Sequence, residues 1–267
     1  MLDEKTVANE TISNMNDIMV FQSEEAITTN RVMLGFNNSF DSVLGGISVG
    51  ELLLLGGKRG HGKSVICANI CAFQYEEGNS CVYFSIEMTA LETFQRIMSV
   101  LANVDHKLLK LNKLVPADVL KVVKVRAGMF NNADDLVEKF IIDNDRFSFE
   151  EALVKTKKLK EDNQIIIIHD RDLTVTGVDI HLGKLKAKFG NKLKVSIVDY
   201  LNQISIDGGK DIYDWKPQIE ISKNLKNQGD KHQVVMISPY QIDDTGDRKS
   251  TRLNSSHSRR SRMPSSA

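Results

Sequence analysis

Cysteine, proline and tryptophan are all scarce, with three, four and one among 267 residues. Cys67, Cys71 and Cys81 lack C-x-x-C spacing and are too few for a disulfide framework, so they read as buried free thiols of a reducing cytosol. Cys67 and Cys71 fall one helical turn apart. Long apolar runs are missing too: no segment approaches the ~20 residues that a membrane span needs. The N-terminus also lacks the basic-then-apolar pattern of a secretion signal, so no membrane partner is expected. The six histidines are scattered without ligand spacing, and no zinc site is assigned. Net charge is absent as well, at 35 basic against 35 acidic residues. That balance is local in origin, because six of the basic residues but one acidic residue lie in 247–267, leaving a net charge of −5 on the rest. The body of the protein therefore has no global basic field, and any contact with nucleic acid must be local.

What is present is enough for one sizeable core, since 41% of the chain is hydrophobic. Residues 1–30 are polar and read as a linker or the remnant of an N-terminal region. Leu34 to Gly50 predicts a short helix closed by Gly45-Gly46 and a turn into a first strand over Glu51 to Leu55. Four more apolar runs predict strands: Cys81 to Ile86, Ile165 to Ile168, Lys194 to Val198 and Gln233 to Ser238. Between them, helices are predicted over Ala90 to Asn103, Pro116 to Met129, Asp134 to Ile142, Phe149 to Lys160, Val178 to Phe189 and Trp215 to Lys226. Strands alternating with helices, and apolar throughout, predict an α/β fold whose central, mostly parallel sheet is covered by helices on both faces. A long helical insertion separates the second and third strands. Residues 247–267, with seven Ser and six Lys/Arg, have the composition of a disordered basic tail. Asp247 to His257 (DRKSTRLNSSH) reads as translated adapter sequence, with a genuine basic tail and a cloning scar as the alternatives, and the expected domain spans 31–246 and is incomplete at its C-terminus.

Gly57-Lys58-Arg59-Gly60-His61-Gly62-Lys63-Ser64 meets every fixed position of the G-x-x-x-x-G-K-[ST] phosphate loop, directly after Leu52 to Leu55. The glycines allow a tight turn whose N–H groups face a pyrophosphate, Lys63 reaches the β and γ phosphates, and Ser64 offers its hydroxyl to Mg²⁺. Val65 to Glu76 predicts a helix whose N-terminus adds partial positive charge. The expected ligands are therefore ATP or another NTP with Mg²⁺.

In parallel sheets, ligands sit beyond the carboxyl ends of the strands. Asp199, after Val195 to Val198, stands where a carboxylate would hold the Mg²⁺ shell. Glu87, after Tyr83 to Ile86, is placed to polarise the water that attacks the γ-phosphate. Asp170 reads as a turn residue. Ser238 and Gln241 follow the last predicted strand, where a polar side chain can sense the γ-phosphate.

Phe36, Gly45-Gly46, Gly50, the phosphate loop, Phe84-Ser85-Ile86-Glu87-Met88, Arg96, Leu173-Thr174-Val175-Thr176, Val198-Asp199-Tyr200-Leu201-Asn202-Gln203-Ile204 and Glu220 to Lys226 occur in that order. From about residue 31 to 245, this series resembles the RecA-like motor domain of DnaB-like replicative helicases, phage versions especially. The resemblance implies a RecA-like P-loop NTPase fold and a homo-oligomer, a hexameric ring hydrolysing NTP between subunits while translocating on single-stranded DNA. It implies a cytoplasmic setting in a bacterium or phage-infected host, and primase as a partner. Carried over residue by residue, Lys63 and Ser64 bind phosphate and Mg²⁺, Glu87 is the catalytic base, Asp199 the Walker B acid, and Gln241 the sensor.

The segment departs from the family in Asp243-Asp244, which follow Gln241-Ile242 where an Asn-Arg pair is usual. The family's arginine finger would lie beyond Gly246, and its N-terminal primase-recruiting domain before residue 31. The loop Ser205 to Asp214, with Gly208-Gly209-Lys210 at its tip, is a candidate DNA contact through Lys210. The rival reading is a RecA/KaiC-like regulatory or recombinase ATPase, and a plainer one is a nucleotide-binding module without catalysis.

Overall fold

The computed structural model describes residues 30–36, 40–156, 159–161, 163–205 and 215–242. Five strands form one parallel sheet: β3 (Leu52–Gly57), β4 (Ser80–Ser85), β5 (Ile165–His169), β6 (Leu193–Asp199) and β7 (Val235–Gln241), in the order β3-β7-β6-β4-β5. Every pair in this sheet is parallel, as unbroken Val- and Ile-rich runs require. A separate antiparallel ribbon, β1 (Arg31–Val32) with β2 (Ile47–Ser48), has no counterpart in the sequence pattern, because two residues per strand leave no period to read; before β2 lies the short helix α1 (Ser42–Leu44), ended by Gly45.

Period-2 alternation divides the strand side chains between two cores. Cys81, Tyr83, Val195, Ile197, Val235 and Ile237 pack on one face, against Cys67, Ala68, Ile70, Cys71 and Ala72 of α2 (Lys63–Glu76) and Ile97 of α3 (Ala90–Leu101). Val82, Phe84, Val198 and Met236 pack on the other, against Val178 and Leu182 of α8 (Val175–Phe189) and Ile221 and Leu225 of α9 (Trp215–His232). On that side Asp179 receives both Lys231 (2.8 Å) and His232 (2.6 Å), joining α8 to α9.

The insertion between β4 and β5 comprises α4 (His106–Lys110), α5 (Pro116–Ala127), α6 (Ala133–Asp143) and α7 (Arg146–Thr156). α4 is an addition to the expected helices; Asp105 caps it, its carboxylate accepting the Leu108 amide at 2.8 Å, but five residues are too short for periodicity. α5 to α7 bury their own cluster of Val123, Ala127, Leu136, Phe140, Phe149 and Leu153.

The ribbon is fastened to the far end of α2. Gln74 donates to the Met33 carbonyl at 2.6 Å. Gly35, at φ +91°, lies flat against Phe73, and a Cβ there would come within 2.7 Å of the ring. Asp41 holds this approach by accepting the amides of Leu34, Gly35 and Phe36 at 2.7–2.9 Å.

Candidate active site

The parallel register delivers the functional side chains to one edge of the sheet. Gly57 pairs with Gln241, and Asp199 pairs with Ser85, so the phosphate loop, the last strand and both acidic strand ends emerge together. Beyond them opens a cleft of about 250 Å³ lined by Arg59 to Val65, Glu87, Arg96, Asp199, Tyr200 and Gln241. Of the residues assigned from sequence, the cleft gathers Arg59, Gly60, His61, Gly62, Lys63, Ser64, Glu87, Asp199 and Gln241. Gly57 and Lys58 sit just behind, at the end of β3, and Lys210 lies outside the described residues.

Gly60 and Gly62 take φ of +80° and +79°, the left-handed region in which a side chain is strained. The chain thereby turns from β3 directly into α2, whose first carbonyl contacts run from the Val65 and Ile66 amides to Gly62. The amides of Lys63 and Ser64 precede these and have no carbonyl a turn earlier to bond, so they remain available to an anion. The Lys63 ammonium donates to the carbonyls of Gly57 (2.7 Å) and Lys58 (2.8 Å). It is thus tethered at the mouth of the loop.

Glu87 owes its place to buried groups around it. Ser85 donates to the Met88 carbonyl at 2.6 Å, and Thr93 donates to Ser85 at 3.1 Å, closing the turn that carries the glutamate. The Ile86 amide donates to the Asp199 carbonyl, fixing this turn against β6. Thr89 and Glu92 then form a reciprocal capping box that starts α3. The Ser of the F-S-x-E-M motif is therefore structural, while the glutamate it positions is exposed to the cleft.

Asp199 is 4% exposed. Tyr83, fully buried beneath it, donates its hydroxyl to one carboxylate oxygen at 2.5 Å. Burial, reinforced by the Asp199 charge, holds the Tyr83 phenol well above its usual 10.0, so it stays a proton donor. Burial and the same charge likewise raise the Cys67 thiol. The peptide joining Asp199 to Tyr200 is cis.

Gln241 is held by its backbone, whose amide donates to the Asn202 side chain at 3.2 Å, while the Ile242 amide donates to the Gly57 carbonyl. Asn202 of the V-D-Y-L-x-Q-I motif thus holds the end of β7, which the Ile242 amide ties to the start of the phosphate loop. Ser238 departs from expectation. β7 runs on to Gln241, so Ser238 lies inside the strand and its hydroxyl is spent on the Val198 carbonyl at 2.7 Å. Asp170 is the turn residue expected, accepting the Asp172 amide at 2.9 Å. Sequence reasoning missed the cleft positions of Arg96 and Tyr200 and the support that the buried Tyr83 gives Asp199. A tyrosine two residues before Ser85, on the same face of an otherwise apolar strand, was the available signal.

The donors around the cleft suit a magnesium nucleotide. Arg59, Lys63 and Arg96 supply positive charge, and Ser64 and Asp199 supply hard oxygen atoms. Among the described residues, no group of three or more His, Cys, Asp or Glu gathers to cage a metal. A site of one carboxylate and one hydroxyl fits an ion that keeps its waters and shares substrate phosphates.

Comparison with known proteins follows the same lines. No curated protein matches the chain in sequence. Among solved structures it is similar to one described as an ATPase domain, with a TM-score of 0.60 and 16% identity over 92% of this chain and 74% of that one. It is also similar to a DnaB-like replicative helicase described with its interactions with primase, with a TM-score of 0.58, 15% identity, and 93% of this chain covered. The chain spans 50% of that structure's length. These likenesses establish the fold alone, a parallel five-stranded sheet flanked by helices. The family model described as DnaB-like helicase C terminal domain matches residues 32–261, from the second residue of β1 through β7. With that span and the cleft it encloses, the chain belongs to the DnaB-like helicase C-terminal domain family.

Proposed function

We propose that this chain is the motor of a replicative DNA helicase, hydrolysing ATP or a related NTP to move along single-stranded DNA and open duplex. The observation that carries the reading is the convergence of Lys63, Ser64, Glu87 and Asp199 on one cleft. The loop amides and Lys63 bind the β and γ phosphates, with Lys63 exchanging its contacts to the Gly57 and Lys58 carbonyls for phosphate oxygens. Ser64 and Asp199 would hold Mg²⁺, which when bound neutralises charge on the phosphates. Tyr83 keeps the Asp199 carboxylate turned toward the loop. Glu87 orients the attacking water and accepts its proton. Gln241, backed by Asn202, contacts the γ-phosphate and responds to its loss.

The same reading makes the working form a hexameric ring with nucleotide between subunits, with single-stranded DNA as ligand and primase as a further partner. Lys210, outside the described residues, is proposed to touch DNA phosphates. Ser205, where that segment begins, is bonded to Leu173 beside the strand ends.

The test is Mg²⁺-dependent NTP hydrolysis with and without single-stranded DNA, followed by strand displacement on a forked duplex. DNA-stimulated turnover that is lost in Lys63→Ala, with displacement, supports the reading. Turnover without displacement transfers it to a regulatory or recombinase ATPase, and nucleotide binding without turnover reduces it to a binding module.

A further inference from the structure

Glu87 lines two clefts. The second, of about 360 Å³, is bounded by Ile86, Glu87, Arg171, Gln203 and Ser205. β4 and β5 are parallel neighbours with Ser85 paired to His169. Two residues further on, beyond the paired strands, Glu87 sits in the bend after β4 and Arg171 in the turn after β5, and both line this cleft. The backbone beneath both is pinned: the Ser85 carbonyl accepts the Asp170 amide at 3.3 Å and meets the His169 ring nitrogen at 3.0 Å. Both side chains are exposed, and neither has a hydrogen-bond or ion-pair partner among the described residues.

The strand order gives this pairing a direction. Counting from the phosphate loop the strands run β3, β7, β6, β4, β5, so Arg171 stands on the side of Glu87 away from the nucleotide. Lys63 and Arg96 face Glu87 from the nucleotide side. A bound triphosphate would occupy those cations together with Arg59 and repel the carboxylate, leaving Arg171 as its remaining attraction among the described residues lining the two clefts.

We infer that Arg171 is a positioning residue that draws the Glu87 carboxylate out of the nucleotide cleft and so restrains hydrolysis. The inference rests on Glu87 being the base of the proposed reaction. In the restrained state the carboxylate faces Arg171, and in the active state it turns to the water beside the γ-phosphate. The restraint is a charge effect at an exposed position, so its size is that of a surface ion pair and it weakens as salt rises.

Steady-state NTP hydrolysis by the full chain carrying R171K, R171Q or R171E tests it, with K63A as the control for genuine turnover. The expected order of kcat is R171E above R171Q above wild type, with R171K close to wild type and KM unchanged. The R171Q gain is about twofold to fivefold, the range of an exposed pair. Added salt should lift wild-type kcat toward that of R171Q and leave R171Q where it is. A merely structural arginine would give equal losses in all three variants, without the charge order, and that result overturns the inference. So does an R171Q kcat at or below wild type while K63A still abolishes turnover, which leaves the proposed function standing. Absence of any Lys63-dependent turnover in wild type removes the proposed hydrolysis, and this restraint with it.

Discussion

Between the carboxyl ends of the strands and the helical insertion, the terms of burial change. At the strand ends, polar groups are fastened from both faces of the sheet: Tyr83 to Asp199, Ser85 to Met88, Ser238 to Val198 and Asn202 to Gln241. In α6 and α7 one side of each helix closes on a small cluster shared with α5, with Phe140 and Phe149 edge to face at 5.7 Å. The other side leaves Ile142 and Phe147 each 73% exposed. Two-sided packing leaves little room for a side chain to shift, which a catalytic cleft requires; one-sided packing tolerates change. α6 and α7 should therefore tolerate changes that the sheet does not, whereas α4 and α5 pack on α3, which carries Arg96.

The sharpest way to break that contrast is to open the insertion itself. Phe149→Ala should cost the cluster about 3–5 kcal/mol, seen as early exchange or proteolysis of α5 to α7 while nucleotide affinity stays near wild type. A parallel loss of nucleotide binding would show the two regions to be one cooperative unit. Next in size, Asp199→Asn should lower turnover about 10²- to 10³-fold with little change in melting, as an acid acting at the site rather than in the core.

Tyr83→Phe probes the join between core and site. It strips a buried carboxylate of its donor, and urea unfolding should show a loss of about 1–3 kcal/mol near neutral pH. Its pH dependence has a definite sign. The phenol's value in the fold lies above 10.0, so the stability held by its proton is complete below pH 10 and declines as the pH rises above that. Wild type should lose stability over this alkaline range and Tyr83→Phe should lose less. An identical decline in both would remove Tyr83 as the cause. The smallest effect is expected on the insertion's open side, where Phe147→Ser should change stability by less than about 0.5 kcal/mol. A larger loss would mean that this ring is covered in solution.

Much of this architecture is legible in the sequence, for identifiable reasons. The five strands are long, apolar and bounded by turn signals, and the phosphate loop needs particular residues at particular places, so both stand out. Helices begin earlier than their periodicity indicates at Lys63, Arg146 and Val175, because a first turn carries caps and loop chemistry rather than apolar periodicity. The site residues are found through position at strand ends. What supports them is not: Tyr83 joins Asp199 across 116 positions of sequence, and the shared cleft of Glu87 and Arg171 exists only once β5 is known to neighbour β4. Strand order is a property of the folded sheet, and no local pattern encodes it.

The fastening of α2 at both ends has a further consequence. Its first residues form the phosphate loop, and its last, Phe73 and Gln74, are locked onto Gly35 and Met33. A helix of 14 residues is a rod about 20 Å long, so a tilt imposed at one end would be carried to the other. The ribbon of β1 and β2 would then be the needle of a gauge, and a reporter group placed beside it would register occupancy of the cleft from the far end of α2.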